Sequence, residues 1–98
     1  MKSHIENLIA TITELAPKYG IDRVALFGSQ ARGDDSSGSD IDIVIELGQP
    51  LGFKRGRLCL EIESAVGMPV DFIFGRNQLA KPIRDSFDRD AVIIYEHH

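Results

Sequence analysis

Cysteine is nearly absent from this chain. Cys59 stands alone among 98 residues, which excludes an internal disulfide and any cysteine-built zinc site. A chain without disulfides is expected to reside in a reducing compartment, the cytoplasm. No apolar run approaches the roughly 20 residues needed to cross a bilayer. The opening segment MKSHIENLIA is too polar and too acidic for a secretory leader. Basic charge is also in deficit: 11 Lys and Arg face 15 Asp and Glu, for a net charge of −4. That disfavours a general binder of nucleic-acid backbones, which wants a basic face, but leaves room for a nucleotide held through metal ions. Internal repeats and long low-complexity tracts are missing too.

What is present describes one modest globular domain. Apolar residues make up 43% and charged residues 27% of the chain, ordinary proportions for a folded soluble protein. At this length one core is affordable and a second is not. The expected domain spans residues 1–96, with His97-His98 read as a possible tag remnant.

Ile5, Leu8, Ile9, Ile12, Leu15 and Ala16 recur at helical spacing. Ser3 and Glu6 have capping-box spacing, and Gly20 is placed to end that helix. Val24 to Phe27 is a short apolar run, read as a buried strand. Residues 28–39, GSQARGDDSSGS, carry three Gly and four Ser and read as a loop. Residues 40–47, DIDIVIEL, read as a second strand. Helical spacing returns from about Phe53 at Leu58, Cys59, Ile62, Ala65 and Val66, closed by Gly67 and Pro69. Val70 to Phe74 is a strand, residues 78–89 a helix with Leu79, Ile83 and Phe87 on one stripe, and Ala91 to Tyr95 a last strand. The expected class is α/β, with a mixed sheet of about four strands and helices packed on it.

The acidic residues of the second strand carry the chemistry. Residues i and i+2 of a strand share a face, so Asp40 and Asp42 point one way while Ile41, Ile43 and Ile45 point into the core. Two carboxylates this close repel, and a divalent cation relieves them. Oxygen donors on a short rigid element suit Mg²⁺, and two ions would make a phosphoryl-transfer site. Asp71 can join them if its strand lies beside theirs. Each feature also has a plainer reading. A D-x-D pair occurs on solvated strand edges, Asp71 could pair with Arg76, and Gly28-Ser29 could be an ordinary turn. A calcium loop fails on spacing, because placing Gly38 at the loop glycine puts Gly33 first and Val44 last. Gly28 and Ser29 after a strand can also present backbone N–H groups and a hydroxyl to phosphate. Arg32 has two readings, a phosphate contact or an ion pair with Asp34 or Asp35.

Taken together, Leu26-Phe27-Gly28-Ser29, Ala31-Arg32-Gly33 and Ser39-Asp40-Ile41-Asp42-Ile43, with ten residues between Ser29 and Asp40, resemble the G-S-x10-D-x-D signature of the DNA polymerase β-like nucleotidyltransferases. The nearest likeness is to the minimal nucleotidyltransferase branch, and it runs over nearly the whole chain. The resemblance implies that Gly28 and Ser29 hold the triphosphate of ATP; Arg32 remains a candidate phosphate contact on its own residue chemistry. It implies that Asp40, Asp42 and Asp71 bind two Mg²⁺ ions, and that Asp71 also helps activate the acceptor hydroxyl. AMP would be transferred and pyrophosphate released. The partner it implies is a HEPN-domain toxin, adenylylated on a tyrosine, with this chain as the antitoxin. Two other readings stay open: a binding antitoxin that acts by occlusion, and a nucleotidyltransferase with a small-molecule or RNA acceptor.

The remaining features are weaker. Lys54, Arg55 and Arg57 form a basic cluster that is either a solvated helix end or a contact for phosphate or an acidic partner. Leu51 and Phe53 are expected in the core, Cys59 is expected to be buried, and Tyr19 and Tyr95 are expected to pack.

Overall fold

A computed structural model describes residues 4–27 and 41–97. The chain runs α1 (His4–Tyr19), β1 (Ile21–Phe27), β2 (Ile41–Leu47), α2 (Lys54–Val66), β3 (Val70–Phe74), a 3-10 turn (Arg76–Gln78), α3 (Lys81–Asp90) and β4 (Val92–Glu96). The strands form one mixed sheet in the order β3-β2-β1-β4. β1 is antiparallel to both β2 and β4, and β2 is parallel to β3. The parallel pair needs a crossover, and α2 supplies it.

The main core lies between the sheet and the α1–α2 pair. Leu8 and Ile12 of α1, Leu58 and Ile62 of α2, and Val24, Ile41, Ile43 and Ile45 of the sheet are all fully buried. Of the periodic residues of α1, Leu8, Ile12, Leu15 and Ala16 are buried, while Ile5 and Ile9 are only partly covered. Gly20 ends that helix with φ +68°, and Gly67 ends α2 with φ +80°, where its N–H bonds the Glu63 carbonyl at 2.9 Å. Both positions favour glycine, because a Cβ is strained at such φ values. The Tyr19 hydroxyl donates to Glu61 Oε2 at 2.5 Å and ties the end of α1 to the middle of α2.

The opposite face of the sheet is thinner. Ala25 and Val44 are buried there, and Phe87 of α3 packs edge-on against Phe27 with ring centroids 5.6 Å apart. No residue of α3 is itself buried.

Several expectations need correction. The final helix starts at Lys81 rather than 78, because Arg76–Gln78 forms a 3-10 turn and Pro82 fits the first turn of a helix. Leu79 therefore lies between the two helices. It is buried, whereas Ile83 is half exposed, so the supposed stripe is no common core face. Phe53 is fully exposed and not in the core, while Leu51 packs against the core. Cys59 is only partly buried and Ala65 is exposed, because α2 turns just Leu58, Ile62 and Val66 fully inward. β1 begins at Ile21, three residues before the apolar run that announced it, and the last strand is Val92–Glu96.

Candidate active site

β2 and β3 are neighbours, and their register sets Asp42 directly opposite Asp71. Residues paired across parallel strands share a face, and the strands lie roughly 4.8 Å apart. The two carboxylates thus stand side by side at the starts of two parallel strands, on the face turned away from α1 and α2. The flanking residues explain why. Ile41 pairs with Val70 and Ile43 with Phe72, and Ile41, Ile43 and Val70 belong to the core beneath the helices. Strand alternation then leaves Asp42 and Asp71 no choice but the other face.

The setting of the two carboxylates differs. Asp42 is partly buried and Asp71 exposed, so Asp71 carries no heavy desolvation cost. Nor does Asp71 pair with Arg76. That guanidinium instead grips Asp88 of α3 at 2.5 and 2.6 Å, and the Arg76 backbone N–H donates to Glu46 Oε1 at 2.7 Å. The two-pronged grip holds the Asp88 carboxyl below its ordinary value and raises the Arg76 guanidinium. It also fastens α3 to the segment that leaves β3.

Asp40, Gly28, Ser29 and Arg32 lie outside the described residues. Among the described residues no group of three metal-binding side chains is assembled; the described part of the candidate centre is the Asp42–Asp71 pair. Its donor chemistry fits a hard divalent cation: two carboxylates on rigid, adjacent strands, facing the same way. Asp40, two residues before Asp42, is the third candidate donor.

Three side-chain arrangements were not legible in the sequence. Arg55, one of three clustered cations, places its guanidinium 4.4 Å from the centre of the Phe74 ring. Phe72 and Phe74 stack with centroids 6.3 Å apart. The Tyr19–Glu61 bond spans 42 positions and has no local signature. Only the basic cluster itself was visible beforehand, not which member would reach β3. Burial, aided by the nearby Glu63 charge, raises the Cys59 thiol above its ordinary value and outweighs the opposing pull of Arg55.

A family model described as a nucleotidyltransferase domain matches residues 6–98. A Methanocaldococcus jannaschii protein, provisionally named a protein adenylyltransferase, is 31% identical over 90 residues, covering 91% of this chain and 96% of its own length. A solved structure, described provisionally as a minimal nucleotidyltransferase, superposes with a TM-score of 0.74 at 28% identity, covering 93% of this chain and 95% of that one. A chain from the complex of a tri-AMPylated Shewanella oneidensis HEPN toxin with its MNT antitoxin superposes with a TM-score of 0.66 at 20% identity. That alignment covers 96% of this chain and 73% of the other, and it is a likeness of fold. Among the described residues no helix is long and apolar enough to cross a membrane.

Proposed function

This chain belongs to the nucleotidyltransferase domain family, and on that premise we propose that it transfers AMP from ATP to a tyrosine hydroxyl of a HEPN-family toxin, as the antitoxin of the pair. The observation that carries the reading is the register of β2 on β3, which aligns Asp42 with Asp71 on one open face. The adenylyltransferase name of the archaeal relative supports the reaction. The antitoxin complex that shares the fold supports the partner. ATP and a reducing cytoplasm are the matching setting.

Asp40, Asp42 and Asp71 are the residues that would hold two Mg²⁺ ions. Such ions neutralise phosphate charge and ease deprotonation of a coordinated hydroxyl. The chain's own work is positioning. Gly28 and Ser29 receive the triphosphate, with Arg32 a further candidate for a phosphate contact. Asp71, exposed at the outer strand, faces the incoming acceptor. The acceptor oxygen bonds to the α-phosphorus, the bond from that phosphorus to the bridging oxygen breaks, and pyrophosphate departs. Asp71 would help take the hydroxyl proton.

The test mixes the purified chain with a helical HEPN partner, Mg²⁺ and ATP labelled at the α-phosphate. Label is expected on the partner, with none when Asp42→Asn replaces the wild type. Transfer by Asp42→Asn at the wild-type rate sinks the catalytic reading. Full neutralisation of the toxin by a transfer-dead Asp42→Asn protein would assign the antitoxin effect to occlusion.

A further inference from the structure

β3 is an outer strand of the sheet, and its backbone accounting shows an open edge. The Ile41 N–H donates to the Pro69 carbonyl at 3.4 Å, and the Gly75 N–H donates to the Ile45 carbonyl at 2.9 Å. Odd-numbered residues of this stretch thus turn their polar groups toward β2. Even-numbered residues turn theirs away from the sheet. Of these outward groups, the Val70 N–H is taken by Glu63 Oε2 at 3.2 Å. Phe72 and Phe74 follow, on a strand with no Lys or Pro to blunt it.

A groove of about 470 Å³ runs along this edge, with Arg55 and Phe74 among its walls and Leu79 and Ile83 among the residues closing it. The guanidinium of Arg55 lies over the Phe74 ring, and it forms no ion pair among the described residues. Ile83 is half exposed. Among the described residues, an unpaired strand edge, apolar walls and a guanidinium without an ion-pair partner together describe a site for an extended, acidic peptide.

We propose that this edge docks the acceptor: an extended segment of the protein substrate adds as a strand beside β3, with its hydroxyl residue opposite Asp71 and an acidic residue three positions away, opposite Phe74, on Arg55. The spacing follows from strand alternation. A residue opposite Asp71 turns its side chain to the face of Asp42 and Asp71, whichever way the added strand runs. A residue three places along turns to the other face, where α2 carries Arg55. The same pairing therefore delivers the hydroxyl to the carboxylates and an acid to the guanidinium. The proposal rests on the adenylyltransferase reading for its acceptor chemistry, but not for its binding geometry.

The test uses two synthetic extended heptapeptides with one central tyrosine, carrying Glu at both positions three residues away, or Lys at both. Binding is read by fluorescence anisotropy without ATP, and transfer by label from ATP with Mg²⁺. The Glu peptide is expected to bind and be labelled about tenfold better than the Lys peptide, and Arg55→Glu is expected to invert that preference. N-methylation of one alternate set of peptide amides should abolish binding while the other set is tolerated, the signature of strand addition. Equal binding of the two peptides, a preference that Arg55→Glu leaves unchanged, or equal tolerance of both methylated sets overturns the proposal. If neither peptide binds while the intact partner is labelled, edge docking falls and the transferase reading stands. If the Glu peptide binds in an Arg55-dependent manner and nothing is ever labelled, docking stands and the transferase reading falls.

Discussion

The two faces of the sheet are built to different standards. Under α1 and α2, branched aliphatic side chains from four elements close into a core with several members at 0% exposure. Across the same strands, Asp42 and Asp71 share the opposite face with Val44 and Ile73, and α3 packs there through Phe87 on Phe27 without burying any residue of its own. One face supplies the free energy of folding, and the other spends some of it on keeping two like charges adjacent. Placing the carboxylates on strands that the core already immobilises gives them fixed positions. Preorganised sites are built in this way.

The contrast is sharpest under substitution. Asp42→Asn should lower adenylyl transfer by about 10²–10³-fold, the scale for losing one transition-state charge contact, while the thermal midpoint stays near that of the wild type. A large fall in the midpoint would mean that the two faces are not separable. Ile62→Ala should do the reverse. It opens a cavity in the closed core and should cost about 2–5 kcal/mol in urea unfolding, with the residual folded protein still active.

The bond between Tyr19 and Glu61 ties pH to the helical face. The Tyr19 hydroxyl holds the Glu61 carboxyl below its ordinary 4.5, so the folded state favours the ionised form more than the unfolded chain does. That stabilisation is complete above 4.5 and is lost as the pH falls through the lowered value. The same bond raises Tyr19 above its ordinary 10.0, so Tyr19's contribution is full below 10.0 and disappears as the pH rises through the raised value. Urea midpoints of the wild type and Glu61→Gln should therefore converge in acid. Parallel profiles across the acid range would show that the bond contributes nothing.

Asp71→Asn tests the charged face. Without Mg²⁺ it should unfold at a slightly higher urea concentration than the wild type, because it removes a like charge opposite Asp42, and saturating Mg²⁺ should erase the advantage. A midpoint below the wild type without Mg²⁺ would refute the repulsion. The smallest effect belongs to Phe53→Ser. This side chain is fully exposed, so unfolding should change by no more than about 0.5 kcal/mol. A larger loss would place Phe53 in a contact that the fold does not display.

Much of this architecture was legible in advance, for local reasons. The spacing of Leu8, Ile12, Ile62 and Val66 announces helices with one buried side, and Ile41, Ile43 and Ile45 announce a strand whose Asp42 must face away. Phe53 was misjudged because hydrophobicity reports what a residue prefers, not whether a surface lies within its reach. The onset of α3 was misjudged because Leu79 fits a helical stripe, while the 3-10 turn and Pro82 reset the phase. Arg55 was visible only as one of three cations.

The order of residues along the chain decided by itself that Asp42 faces away from Ile41 and Ile43, because strand alternation acts within a few residues. It also decided that α1 and α2 would each offer an apolar side. Only the tertiary structure decided that Asp71, 29 positions beyond Asp42, stands directly opposite it, and that Arg55 lies over Phe74 beside an open strand edge. Strand order and register arise from how the whole core closes, and no short stretch of sequence carries that information.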